Sequence, residues 1–159
     1  GHGAAGHRGR AIEEEAVDAI ELLTADHNEV RAMFEQFKEA KEAEDVDRMH
    51  DLQKQIFTEL ETHTRIEEDI FYPAVKELDE EEMAETVDEG VQEHHVVKVL
   101  MREIEDVSGD DTFAAKMTVL IENVEHHAEE EEQELFPDVR GRMGETRLQE
   151  LGAELEAAK

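Results

Sequence analysis

The sequence predicts an all-α protein, an up-down-up-down four-helix bundle with a short C-terminal helix. Three observations predict it. Apolar residues recur at three- and four-residue intervals in four long stretches. The composition is rich in Glu, Ala and Leu, with only two prolines and nine glycines, as in long helices. The links between the stretches are short, which makes consecutive helices antiparallel neighbours.

Gly1–Arg10 mix glycine, histidine and arginine, and residues 1–10 read as a flexible tail or expression remnant. The bundle is expected over 11–143 and the extra helix over 144–159. The first helix carries Ile20, Leu23, Val30, Phe34 and Phe37 and ends at the polar Glu39–Asp47 region. The second carries Leu52, Ile56, Leu60, Ile70 and Ala74, and Leu78–Glu82 separates it from Val87, Val97, Met101 and Ile104 of the third. Ser108-Gly109-Asp110-Asp111 is a turn that offers an Asp N-cap,. The fourth helix follows with Phe113, Met117, Leu120, Val124 and Leu135, and Thr146–Ala158 supplies a weaker amphipathic segment.

The two halves repeat one another. His63-Thr-Arg-Ile-Glu67 leads to Phe71-Tyr72-Pro73, and His127-Ala-Glu-Glu-Glu131 leads to Leu135-Phe136-Pro137, with proline ten residues after histidine both times. His27 precedes Val30, Phe34 and Phe37 by the offsets at which His94 precedes Val97, Met101 and Ile104. The pattern is a duplicated helical hairpin.

The chain has 45 Asp plus Glu against 16 Lys plus Arg, a formal net charge of −29. Such a surface repels a phosphate backbone and an anionic membrane, so neither nucleic acid nor membrane is expected as a partner. It keeps a protein soluble and would suit a salt-rich cell interior. With no cysteine there is no disulfide, thiolate metal site or thiol nucleophile. No signal sequence or 18-residue apolar run stands out, so a cytoplasmic location is expected.

Six polar residues occupy core positions of the apolar seams: His27, His63 with Glu67, His94, and His127 with Glu131. A buried polar group without a partner costs roughly 2–7 kcal/mol, and an unpaired carboxylate more. A bound cation removes that penalty by taking imidazole nitrogen and carboxylate oxygen as ligands. Residues at i and i+4 share a helix face, so each His-x-x-x-Glu serves one cluster. Four imidazoles and two carboxylates exceed one ion's needs and suit two ions bridged by the carboxylates. His95 and His126 fall one position off the seams, His50 lies outside the repeat, and His2 and His7 lie in the tail. Glu129–Glu132 is a solvated face with Glu131 its inward member. Phe71, Tyr72 and Phe136 read as core packing, and Pro73 and Pro137 as residues that kink or end their helices.

This ordered set, with Phe-Tyr-Pro and Leu-Phe-Pro after the glutamates, resembles the hemerythrin-like HHE cation-binding domain over roughly Asp18–Val139. The resemblance implies a di-iron centre at mid-height, held by those six residues with the carboxylates as bridges. It also implies chemistry with oxygen, peroxide or nitric oxide, or iron and redox sensing. Oxygen-carrying members have a second histidine one turn after the first on the third helix, where this chain has Lys98. Their last carboxylate lies five residues after its histidine, which makes Glu132 a lesser candidate beside Glu131. One imidazole fewer shifts the expectation from reversible oxygen carriage toward reaction with an oxidant.

The expected cofactor is therefore two iron ions, oxo-bridged in one form, with zinc or manganese as substitutes. The expected partner is a small diatomic or peroxide ligand, in a peroxide- or oxygen-reactive oxidoreductase. An iron-storage or sensing protein without turnover is the alternative.

Overall fold

A computed structural model describes residues 17–159. The expected tail, 1–10, lies outside the described residues. Helix α1 (Ala19–Glu42) begins at a capping box: the Asp18 carboxylate accepts from the Glu21 N–H at 2.8 Å, and the Glu21 carboxylate accepts from the Asp18 N–H at 3.0 Å. Two orphan donors of the first turn are thereby satisfied. Helix α2 (Val46–Ile66) is capped by Asp45 and runs into a π-helical turn, π1 (Glu67–Phe71), and then α3 (Tyr72–Lys76). After a short link come α4 (Glu81–Asp106) and α5 (Asp110–Glu130), which repeats the pattern through π2 (Glu131–Leu135) and α6 (Phe136–Met143). The terminal segment forms α7 (Glu145–Ala158). Among the described residues there is no strand.

Two sequence expectations are modified. Asp110 and Asp111 lie in the first turn of α5, after Gly109 at the cap position, with no side-chain cap bond; there their charge complements the helix dipole. Pro73 and Pro137 do not end their helices. Each lacks an N–H to give to the preceding turn, and each follows a widened turn in which Tyr72 and Phe136 donate to the carbonyls of Glu67 and Glu131. The helix absorbs one extra residue and runs on.

The apolar core has two halves. One gathers the start of α1 (Ile20, Leu23), the end of the second helical run (Phe71, Val75), the start of α4 (Met83, Val87), the end of the fourth run (Leu135, Val139) and Leu148, Leu151 and Leu155 of α7. The other gathers Phe34 and Phe37, Ile56 and Leu60, Met101 and Ile104, and Phe113 and Met117. Starts and ends alternate between the halves, so the four long runs are antiparallel in sequence order. Between the halves lies a polar layer, and it holds the six inward-pointing seam residues.

Candidate metal centre

Each of the four long helical runs brings its seam histidine to this layer. Donor atoms of His27, His63, Glu67 and Glu131 lie within 4.8 Å of one another, and so do those of Glu67, His94 and His127. His27 and His63 have ring centroids 4.9 Å apart, and His94 and His127 4.8 Å apart. The glutamates join the two pairs. Glu67 Oε1 faces His63 Nε2 at 3.3 Å and His94 Nε2 at 3.1 Å. Glu131 offers Oε1 to His27 Nε2 at 3.0 Å and Oε2 to His127 Nε2 at 3.4 Å. All six predicted residues therefore converge, with Glu67 fully buried and Glu131 nearly so.

The outer nitrogens are as ordered as the inner ones. His27 Nδ1 donates to Glu132 at 2.7 Å, His63 Nδ1 to Asp26 at 3.2 Å, His94 Nδ1 to Glu68 at 2.7 Å, and His127 Nδ1 to Glu93. An imidazole whose Nδ1 is tied to a carboxylate keeps Nε2 for a cation and is held in one ring orientation. Asp26, Glu68 and Glu93 escaped the sequence reading, and Glu132 entered it only as a lesser candidate ligand, yet a signal exists. Each is a chain neighbour of an inward residue: Asp26 of His27, Glu68 of Glu67, Glu93 of His94, Glu132 of Glu131. The duplication extends to their outer partners. Arg31 grips Glu132 at 2.9 and 3.1 Å, and Lys98, the equivalent position of the other hairpin, reaches Glu68 at 3.3 Å. Glu132, the lesser candidate, thus faces the back of His27.

Tyr72 is the second omission. Its hydroxyl donates to Glu131 at 2.7 Å and also lies 3.3 Å from Glu67, 3.3 Å from His127 and 3.5 Å from His94. The expected packing residue therefore carries a polar group at the heart of the layer. His95 and His126 are exposed, and His50 stacks on Phe113 at 4.1 Å, in the other core half. His2 and His7 lie outside the described residues.

The electrostatics suit a cation. Burial would lower the His63 pKa, but the Glu67 charge and the Asp26 hydrogen bond push it up to about 10. Burial opposes protonation of His127 as well, yet Glu131 and Glu93 raise it to about 11. Burial would raise the Glu131 pKa, but the facing imidazoles hold it well below the usual carboxylate range. Burial and the charges of Glu67 and Glu131 keep the Tyr72 phenol protonated well above its usual range. Protons thus stand in for positive charge. Even so, His63 Nε2 and Glu67 Oε2 find no hydrogen-bond partner among the described residues. Orphaned buried donors and acceptors are costly, and a cation among these atoms would satisfy both. The residues fit a metal.

Two cavities flank the layer. One, about 60 Å³, is acidic, lined by Glu89, Glu93, Glu130 and Glu134 and floored by Tyr72, His127 and Glu131. The other, about 30 Å³, is bounded by all four imidazoles and by Leu60, Val97, Val124 and Ala128.

A helical bundle with a buried layer of four imidazoles and two carboxylates is a cation-binding protein in its architecture. The hemerythrin HHE cation-binding domain matches residues 18–139, and the chain belongs to that family. It is 26% identical over 141 residues to a DNA nickase of Nostoc sp., a match covering 87% of this chain and 38% of the nickase. It is 24% identical over 140 residues to an uncharacterized hemerythrin-like protein of Schizosaccharomyces pombe, covering 87% of this chain and 68% of that protein. No solved structure matches the chain significantly.

Proposed function

We propose that the chain holds two iron ions, one at His27 and His63 and one at His94 and His127, with Glu67 and Glu131 shared between them. A small oxidant, oxygen, peroxide or nitric oxide, would react at this pair. The observation that carries the reading is the orientation of the imidazoles: all four are tied at Nδ1 to a carboxylate and turn Nε2 inward. Iron bound there supplies the one- and two-electron chemistry that no side chain of this set has alone.

The chain's own residues supply the rest. Leu60, Val97, Val124 and Ala128 give the small cavity an apolar wall beside the four rings, room suited to a molecule of a few atoms. Tyr72 offers a hydroxyl between the glutamates. The acidic cavity favours cation traffic instead,, and supports the second reading, storage or sensing of iron without turnover. Nicking of DNA is outside this reading. The match covers 38% of the nickase, and a net charge of −29 opposes a phosphate backbone.

Elemental analysis of iron-reconstituted protein, followed by peroxide and oxygen consumption, tests the proposal. The first reading expects both ions bound and the oxidant consumed. Both ions without consumption selects storage or sensing. One ion or none after full reconstitution overturns the two-metal site.

A further inference from the structure

The repeated hairpins allow one half of the centre to be compared with the other in the same chain. Tyr72 follows Glu67 by five residues, as Phe136 follows Glu131. Each is reached through a π turn, in which its N–H donates to the carbonyl of that glutamate. Tyr72 stacks on His94 at 5.6 Å, and Phe136 stacks on His27 at 5.8 Å. The equivalence breaks at one atom: the half with Tyr72 has a phenol oxygen and the half with Phe136 has none. The space around the ring is matched to that atom. Gly90 lies four residues before His94, where the other hairpin has Leu23 before His27. A Cβ at Gly90 would stand 2.9 Å from Tyr72 Oη, so the missing side chain leaves room for the hydroxyl.

Two of the four distances around that oxygen are those of a ligand shell. Nitrogen and oxygen donors about 2.1 Å from a transition-metal ion lie, at octahedral to tetrahedral angles, roughly 3.0–3.4 Å from one another. Tyr72 Oη lies 3.3 Å from donor atoms of both Glu67 and His127, within that range, and 3.5 Å from His94 just outside it, while its 2.7 Å contact with Glu131 is a hydrogen bond. Lys98, one turn after His94, reaches outward to Glu68 rather than into the layer.

We propose that Tyr72 is a metal ligand: its phenolate oxygen binds the cation held by His94 and His127. The proposal rests on the two-metal reading above. The O–H bond breaks as an oxygen lone pair forms the bond to the cation. The proton leaves to solvent through the acidic cavity that Tyr72 lines together with Glu93 and Glu130. The cation at His27 and His63 meets only the Phe136 ring at the equivalent place, so the two ions differ in ligands although the helices repeat.

The chain has one tyrosine, which makes the test direct. The whole chain is loaded with ferrous iron, oxidised in air, assayed for iron and examined by visible absorption and resonance Raman spectroscopy. The expected result is a phenolate-to-ferric charge-transfer band with phenolate ring vibrations in resonance with it. Both vanish in Tyr72→Phe while its iron content holds. Full iron loading of the wild type without phenolate vibrations overturns the ligand and leaves the two-metal reading standing. Failure to bind iron overturns both. If Tyr72→Phe does not fold, the wild-type vibrations decide alone, because no other residue can produce them.

Discussion

Adjacent glutamates in this chain have opposite duties, and the difference is a rotation of about 100° per residue around a helix. Glu67 stands fully buried between His63 and His94, while Glu68 reaches the back of His94 and is gripped by Lys98. Glu131 lies between His27 and His127, while Glu130 lines the acidic cavity. Glu67→Ala and Glu131→Ala are therefore expected to lose metal at any concentration that saturates the wild type. Glu130→Ala should keep both ions. Glu68→Ala should also keep them, with affinity weakened about 10- to 100-fold, as is usual when the group orienting a ligand is removed. Elemental analysis and competition with a chelator separate the three outcomes. Metal retained by Glu67→Ala and lost by Glu68→Ala would reverse the register.

At the scale of the helix, the seams of α1, α4 and α5 could be read directly from the sequence, because apolar residues follow the helical period without a break. The π turns could not. One inserted residue after Glu67 leaves Ile70 half-buried and makes Phe71 and Tyr72 fully so, a change that periodicity averages away. In an unbroken α-helix Tyr72 would lie about 140° from Glu67, which is why it read as packing. Three of the outer carboxylates were hidden for another reason: among the chain's 45 acidic residues, the buried Asp26 and the half-buried Glu68 and Glu93 carry no contrast. Helix ends give their own tests. Asp18 caps α1 and also accepts both terminal nitrogens of Arg140, at 3.0 and 3.2 Å. Asp18→Ala should cost about 1 kcal/mol in denaturant unfolding. Burial would raise the Asp18 pKa, but Arg140 and the Glu21 N–H hold it below its ordinary 3.8. Its contribution is then present above that value and is lost as the pH falls through the lower folded one, so the mutational penalty should shrink in acid. At the other end, a Cβ on Gly152 would fall 2.2 Å from the Val17 carbonyl oxygen. Gly152→Ala should push α7 off the start of α1 at a cost of about 1–3 kcal/mol, and unchanged unfolding would mean that α7 docks elsewhere.

For the molecule as a whole, the polar layer sits between two apolar halves and decides how firmly they are joined. Protons and a metal compete for it. Without metal, His63 and His127 hold protons to about pH 10 and 11, so both are charged at neutral pH and paired with Glu67 and Glu131. A raised folded pKa gives stability that is complete below the unfolded value of about 6.5 and fades as the pH rises through the folded value. The metal-free bundle should therefore weaken from neutral toward alkaline pH. Metal binding needs the same imidazoles neutral, so it releases protons and strengthens as they become easier to remove. The two trends run in opposite directions, and the gap between them is measurable. Chelation should lower the melting temperature, restored iron should recover it, and the difference between loaded and stripped protein should widen from pH 6.5 to pH 9. Calorimetric titration at neutral pH in buffers of different ionisation heat should show protons released as iron binds. A melting difference independent of pH, with no proton release, would mean that the cation binds somewhere other than these histidines.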